Sequence, residues 1–332
     1  MTDRLRDQPT LSAEIRLDDE DREAQPIPLS PAQLGLWLQQ ESLGYRPAFH
    51  IAVFLDVEAA VDHAVLEAAI TQVQFCTDAL DMRYERDGPE LKQFAGNPVA
   101  FSIPLHDFSA NANPETAALE WMRQESDTLF SFAGDRLCRF AQLVLGDERT
   151  FLYFKFHHLV LDGWGLTLFL KRLATAYTHL STGSPSPPER ITSSTDILRK
   201  NASRENSTRS KAAKKFWNAY LVDLPSPVVD KLAKTPSSEK PSDVAIAAMP
   251  LAPAAWRDLE GLSRANGLSP TVFAIAVIAG YLARLTGSFD LCVALPRLNR
   301  DRDALRSVAM LVNLAALRLA LRPSDTVLSI AA

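Results

Sequence analysis

Residues 156–165 read FHHLVLDGWG, and how this stretch folds decides what surrounds it. It holds adjacent histidines, His157 and His158, with the step Asp162-Gly163 at a fixed distance downstream. Residues 151–156, FLYFKF, follow the turn signal Gly146-Asp147 and are rich in aromatics. They read as a strand, whose side chains alternate between faces. Leu152, Phe154, Phe156 and, where the strand runs that far, His158 then share one face, and Phe151, Tyr153, Lys155 and His157 the other. The two imidazoles point opposite ways and cannot share a role. His158 falls on the purely apolar face, where burial keeps an imidazole neutral and able to accept a proton. Asp162-Gly163 turns the chain. Beyond it Leu166, Phe169, Leu170, Leu173, Tyr177 and Leu180 recur at helical spacing. Strand, turn and helix place His158 at the rim of a packed core.

A His-His step alone is more often two satisfied structural histidines than a catalytic pair. A metal site is disfavoured. His158 and Asp162 would share a face only on a helix, the aromatic run argues strand, and no third ligand stands at a telling spacing. Trp164 and the strand aromatics read as core.

Composition narrows the classes. The 332 residues are 47% hydrophobic, enough for a sizeable core. A net charge of −5 argues against a nucleic-acid binder. Cys76, Cys138 and Cys292 are scattered, odd in number and without a CxxC, which fits a reducing compartment and no disulfide framework. The charged N-terminus has no signal peptide, and the most apolar stretch, residues 272–285, is too short for a membrane span and carries Arg284. The expected location is the cytoplasm, with no membrane partner.

Residues 1–26 are polar, with an acidic run at 18–21, and read as a disordered or docking leader. Ser30 and Gln33 form a capping box with Pro31 at the first helical position. A strand is expected over 48–56, a helix around Leu66, Ile70 and Val73, and a hairpin across Asp87-Gly88. Residues 114–129 read as a helix with Leu119, Met122 and Leu129 inward. A second hairpin, 138–145 with 150–156, carries the histidines. The Ser/Pro-rich residues 183–189 mark a linker. Further on come a helix near 212–221, a loop at 237–242, a strand at 244–251, helices over 253–265 and 270–285, and strands at 289–295 and 310–321. The 270–285 helix is apolar nearly all round and reads as buried core. Pro323, Ser324 and Asp325 look like the start of a last helix.

Two stretches carry a resemblance. His157, His158, Asp162 and Gly163 match the HHxxxDG signature of condensation domains of nonribosomal peptide synthetases, which belong with the chloramphenicol-acetyltransferase-like acyltransferases. Residues 29–38, LSPAQLGLWL, resemble that family's opening motif, in the right order and at the right separation. The resemblance runs from about Ile27 to the end of the chain. It implies a mixed α/β (α+β) fold of two lobes, each a mixed sheet packed with helices, with a substrate tunnel between them. The expected organisation is a leader over 1–26, an N-terminal lobe over 27–182, a linker over 183–200 and a C-terminal lobe over 201–332. Condensation domains usually continue further, so the second lobe is expected to be incomplete and the sequence a piece of a longer polypeptide.

The resemblance also implies a chemistry. An acyl thioester on one phosphopantetheine arm is attacked by the amine of an aminoacyl thioester on another. No cofactor is bound directly and no metal is needed, since the thioester is already activated. The implied partners are donor and acceptor peptidyl or aryl carrier proteins and an adjacent adenylation domain. The implied site residues are His158 as base or orienting group, His157, Asp162 and Gly163. Gly163 is expected where backbone approaches substrate or where φ is positive. Asp162 needs a buried cationic partner. The family's second motif usually supplies arginines, but here it reads CTDALDMRY over 76–84, with Asp81 at a usual arginine position. Arg83 and Arg297 are therefore the candidates. Gly35, where domains joining two aminoacyl units often have arginine, and the stretches 79–84 and 295–300 resemble starter and aryl-accepting condensation domains such as that of enterobactin synthetase's serine module. The expected donor is an aryl or fatty acyl group, as in siderophore or lipopeptide assembly. The competing expectations are an epimerisation domain, a free-standing coenzyme A-dependent acyltransferase, and a non-catalytic recruitment platform.

Overall fold

A computed structural model describes residues 25–44, 46–133, 136–184, 191–205, 207–228 and 249–332. The expected leader up to residue 24, the loop at 237–242, the 244–248 part of the expected strand and residues 185–190 lie outside them; residues 249–251 have no regular structure. The chain divides into two compact units. The first comprises residues 1–205 and 298–312, the second 206–297 and 313–332.

The first unit is built on a four-stranded sheet. Its order is β1 (His50–Val57), β6 (Arg149–His157), β5 (Cys138–Gly146) and β4 (Leu105–Asp107). β6 pairs antiparallel with both neighbours, placing His157 opposite His50 and Phe156 opposite Cys138. Both faces of β6 are covered. Leu152, Phe154 and Phe156 join Phe140 and Phe169 in the main core, while Phe151 and Tyr153 pack with Leu143, Ala118 and Met122 in a second one. The period-two alternation of the sequence thus separates two cores rather than core from solvent. Full burial of a ring such as Phe169 is worth about 1.5–3 kcal/mol, so this layer supplies much of the unit's cohesion.

The helices follow their caps. α1 (Pro31–Leu43) starts at the Ser30–Gln33 capping box with Pro31 at its first position. α2 (His63–Phe75) is capped by Asp62, α3 (Pro114–Asp127) by Asn113, and α4 (Gly163–Thr182) by Asp162. The β2–β3 hairpin (Arg83–Asp87, Glu90–Phe94) turns at Gly88, whose φ of +59° suits glycine. In α3 Met122 is buried as expected, with Ala118 beside it on the inward face, whereas Leu119 is 42% exposed and Leu129, past the helix end, 45% exposed. The expected linker over 183–200 contains the start of α5 (Ser194–Ser203). The Asp78 carboxylate accepts from Ser193 Oγ, Ser194 N and Oγ, and Thr195 N, and Ile197 and Leu198 are buried. An anion on the open amides of a helix N-terminus fastens this segment to the first unit.

In the second unit α6 (Thr208–Tyr220), α7 (Pro253–Ala265), α8 (Pro270–Thr286) and α9 (Val327–Ala331) accompany an antiparallel pair, β7 (Asp290–Arg297) and β8 (Asn313–Ala320). α8 departs from the expected all-round burial. Ala276, Ala279, Gly280 and Ala283 form its buried stripe, while Val277, Ile278, Tyr281 and Leu285 are exposed. Close packing explains the choice of small residues: a Cβ on Gly280 would meet Ile330 of α9 at 3.2 Å.

Candidate active site

The histidines sit where β6 ends. The His157 amide donates to Leu137 O and the His158 amide to Phe49 O, both at 2.8 Å, so the residues just ahead of β5 and β1 hold the step. The chain then turns through Leu159, Val160 and Leu161, all buried, into Asp162 and α4.

His157 is 2% exposed. Its Nδ1 accepts from the Leu159 amide at 3.1 Å, and its Nε2 lies 2.8 Å from Gln40 Oε1. Burial first, then the neighbouring His50 and His158, push its pKa down to about 3. The ring is neutral, and an accepting Nδ1 leaves the proton on Nε2, donated to Gln40. His157 is therefore fully engaged in holding the turn. Both of its ring nitrogens are taken up by groups of the protein itself.

His158 differs. It is half-buried, and its Nδ1 is enclosed without a hydrogen-bond partner. Burial lowers its pKa, opposed by its own carbonyl, the Asp162 charge and the Leu161 carbonyl, which lie near enough to favour the proton without a well-aligned bond. A neutral imidazole with unused hydrogen-bonding capacity can take or guide a proton.

Leu159 is pinned on both sides. Its N–H goes to His157, and its carbonyl accepts from Gln33 Nε2 at 2.8 Å and Tyr84 Oη at 3.1 Å. Gln33 belongs to the opening motif of the sequence and also donates to Gln93 Oε1. The two motifs that carry the resemblance thus meet at one carbonyl.

Asp162 is 1% exposed and has neither expected partner. Arg300 reaches it instead, with Nη2 at 2.8 and 2.9 Å from the two carboxylate oxygens. Gly165, Leu311 and Val312 donate their amides to the same carboxylate. Arg300 also donates to the carbonyls of Ala304, Ser307 and Ala309, clasping residues 298–312 around the turn. Arg297 ends β7 with an exposed side chain, and Arg83 opens β2 where Gly96 passes over it. Asp81, at the usual arginine position, pairs with Arg136 at 2.9 Å. The only sequence signal for Arg300 was the arginine pair in residues 297–300. Choosing between its members required knowing that the strand stops at Arg297.

Of the two expected reasons for glycine at 163, a positive φ is absent. A Cβ there would meet nothing within 4 Å. The close approach belongs to Gly165, where a Cβ would lie 3.1 Å from Leu161 Cβ and 3.3 Å from the Ala309 backbone. Trp164, expected in the core, is 37% exposed and donates Nε1–H to Leu305 O at 3.0 Å. Among the described residues no group of three His, Cys, Asp or Glu could hold a metal ion, and no single helix is long and apolar enough to cross a membrane.

The comparisons with known proteins agree with this geometry. Residues 23–332 match the family model described as Condensation domain. The chain is 29% identical over 299 residues to a dimodular nonribosomal peptide synthase of Bacillus subtilis, covering 89% of this chain and 12% of that protein. It is 24% identical over 269 residues to enterobactin synthase component F of Escherichia coli, covering 80% of this chain and 21% of that protein. The chain therefore spans only a small part of these relatives. Among solved structures, the starter condensation domain of rhizomide synthetase RzmA superposes with a TM-score of 0.77 at 26% identity, over 92% of this chain and 69% of that one. The first condensation domain of the CDA synthetase shares the fold, with a TM-score of 0.75 at 24% identity over 93% and 74%. A turn held from both motifs, an accepting histidine and a match over nearly the whole length have one explanation: the chain belongs to the condensation-domain family, the acyltransferases that form amide bonds in nonribosomal peptide synthesis.

Proposed function

We propose that this chain joins a carrier-bound aryl or fatty acyl thioester to the amine of a carrier-bound aminoacyl thioester, with His158 at the reacting nitrogen. The amine attacks the thioester carbonyl; the C–N bond forms as the C–S bond breaks, and the proton lost by nitrogen ends on the departing thiol. An α-amine has a pKa of about 8, so a useful fraction is already neutral at pH 7. The harder task is receiving or steering the proton once nitrogen has attacked. The half-buried, neutral His158 ring just past the end of β6, held by no well-aligned side-chain hydrogen bond to the protein, is the observation that carries this reading. Asp162 and Arg300 hold the turn, and the open space beside Gly163 leaves room for substrate.

The relatives support this donor class. The RzmA domain is a starter condensation domain whose complex contains C8-CoA and Leu-SNAC, and similar proteins include enterobactin synthase and an isonitrile lipopeptide synthase of Streptomyces coeruleorubidus. Carrier proteins bearing phosphopantetheine arms, an adenylation domain in the same polypeptide and a cytoplasmic setting belong to this proposal. So does the residue-by-residue division into a leader over 1–26, lobes over 27–182 and 201–332, and a joining stretch.

The test supplies the purified chain with acyl-loaded and aminoacyl-loaded carriers and measures amide product by mass spectrometry. His158→Ala is expected to lower turnover by about 10²–10⁴-fold, the usual worth of a positioned base. Wild-type turnover by that variant would remove His158 from the reaction. Product from a peptidyl donor but not from aryl or octanoyl donors would overturn the donor class.

A further inference from the structure

Gln40 lies on α1, remote in sequence from the histidines, and is 2% exposed. Its Oε1 lies 2.8 Å from His157 Nε2. Nothing in the sequence pattern assigns it a role. We infer that Gln40 is a positioning residue: by accepting the His157 Nε2 proton it fixes the tautomer whose Nδ1 holds the Leu159 amide, and so the backbone that presents His158. The inference rests on the reading of His158 given above.

The geometry leaves one consistent proton arrangement. Leu159 N–H points at His157 Nδ1 from 3.1 Å, which requires a lone pair there. In a neutral ring the proton then sits on Nε2 and must find an acceptor, because the site is closed to water: Phe130 and Phe132 pack edge-on against the imidazole at 6.3 and 5.3 Å between centroids. Gln40 Oε1 is that acceptor. Removing it leaves a buried N–H unpaired on this tautomer, and the ring gains by shifting its proton to Nδ1, where it collides with the Leu159 amide. Leu159 is the residue after His158, and its carbonyl is separately held by Gln33 and Tyr84. Freeing the N–H side rotates the peptide adjoining His158. His50 packs beside His157 at 5.8 Å between centroids, and its own Nδ1 is engaged by Ser126 O, so it offers the displaced proton no substitute acceptor through that nitrogen.

The experiment pairs kinetics with nitrogen NMR of the histidine rings in the 332-residue chain. In the wild type, His157 should show a protonated Nε2 and an unprotonated Nδ1. Gln40→Leu is expected to lower kcat by about 10–10²-fold, the scale of a small misplacement of a reacting group. KM should change little, and the His157 signals should move toward the Nδ1–H tautomer. Gln40→Glu, which keeps an acceptor at Nε2, should restore most of kcat and the Nε2–H form, and raise the pH at which His157 titrates. If Gln40→Leu is folded and retains wild-type kcat and tautomer, the inference fails. If it does not fold, Gln40→Glu decides: an Nδ1–H tautomer or a tenfold loss of kcat there is equally fatal. A wild-type chain that makes no amide would refute the proposed function, while the tautomer measurement would still judge Gln40.

Discussion

His157 and His158 are neighbours with the same ring and opposite fates. His157 lies inside, with both nitrogens engaged by Gln40 and by the Leu159 amide. His158 stands just past the strand's end, half-buried, with Nδ1 unengaged. Burial lowers the pKa of both, so neutrality does not distinguish them. Spare hydrogen-bonding capacity does. A ring whose partners all come from its own protein stabilises a turn, and a ring with capacity left over can serve a reactant.

The most disruptive way to break this comparison is to release the turn that both rings share. Arg300→Met leaves the Asp162 carboxylate buried without its cation, and should cost about 3–5 kcal/mol of stability in denaturant unfolding. Adding Asp162→Asn should recover part of that loss. If the single variant unfolds at the wild-type denaturant concentration, the pair does not hold the turn.

Acid separates the rings next. His157 has a folded pKa of about 3 against 6.5 for a free ring, so the unfolded chain binds the proton more readily. Its contribution to stability is whole above pH 6.5 and is lost as pH falls toward 3. A shift of this size corresponds to about 5 kcal/mol. Unfolding free energy measured from pH 7 to pH 3.5 should therefore decline, and His157→Ala should flatten the decline.

At neutral pH the two alanine variants sharpen the contrast further. His157→Ala strands Gln40 Oε1 and the Leu159 amide, with an expected cost of about 2–3 kcal/mol. His158→Ala removes no side-chain bond and should cost less than about 1 kcal/mol, although it is the variant expected to lower turnover by about 10²–10⁴-fold. Equal melting shifts for both would erase the distinction.

The two units differ in how legible they were. In the first, local chemistry announced itself: the Ser30–Gln33 box starts α1, Asp87-Gly88 turns a hairpin, and the aromatic alternation of β6 sorts its side chains into two cores. In the second, α8 looked like a fully buried helix because apolar content cannot say how many faces find a partner. Only its small-residue stripe is buried in this chain. Residues 310–312 looked like strand, yet the amides of Leu311 and Val312 go to Asp162 and are lost to the β8 ladder.

The sequence by itself determined that a strand, a turn and a helix carry the His157-His158 step and that the β6 side chains up to His157 alternate between two faces, because a two-residue period is a property of the extended backbone and needs no neighbours. It also determined the family, through motifs whose residues are local. Only the tertiary structure decided that Arg300 rather than Arg83 or Arg297 neutralises Asp162 across 138 positions, that Gly165 rather than Gly163 makes room for passing backbone, and that Gln40 completes His157. Those choices depend on where chain segments distant in sequence come within about 3 Å of one another, and hydrogen bonds and ion pairs are too short-ranged for spacing along the chain to reveal them.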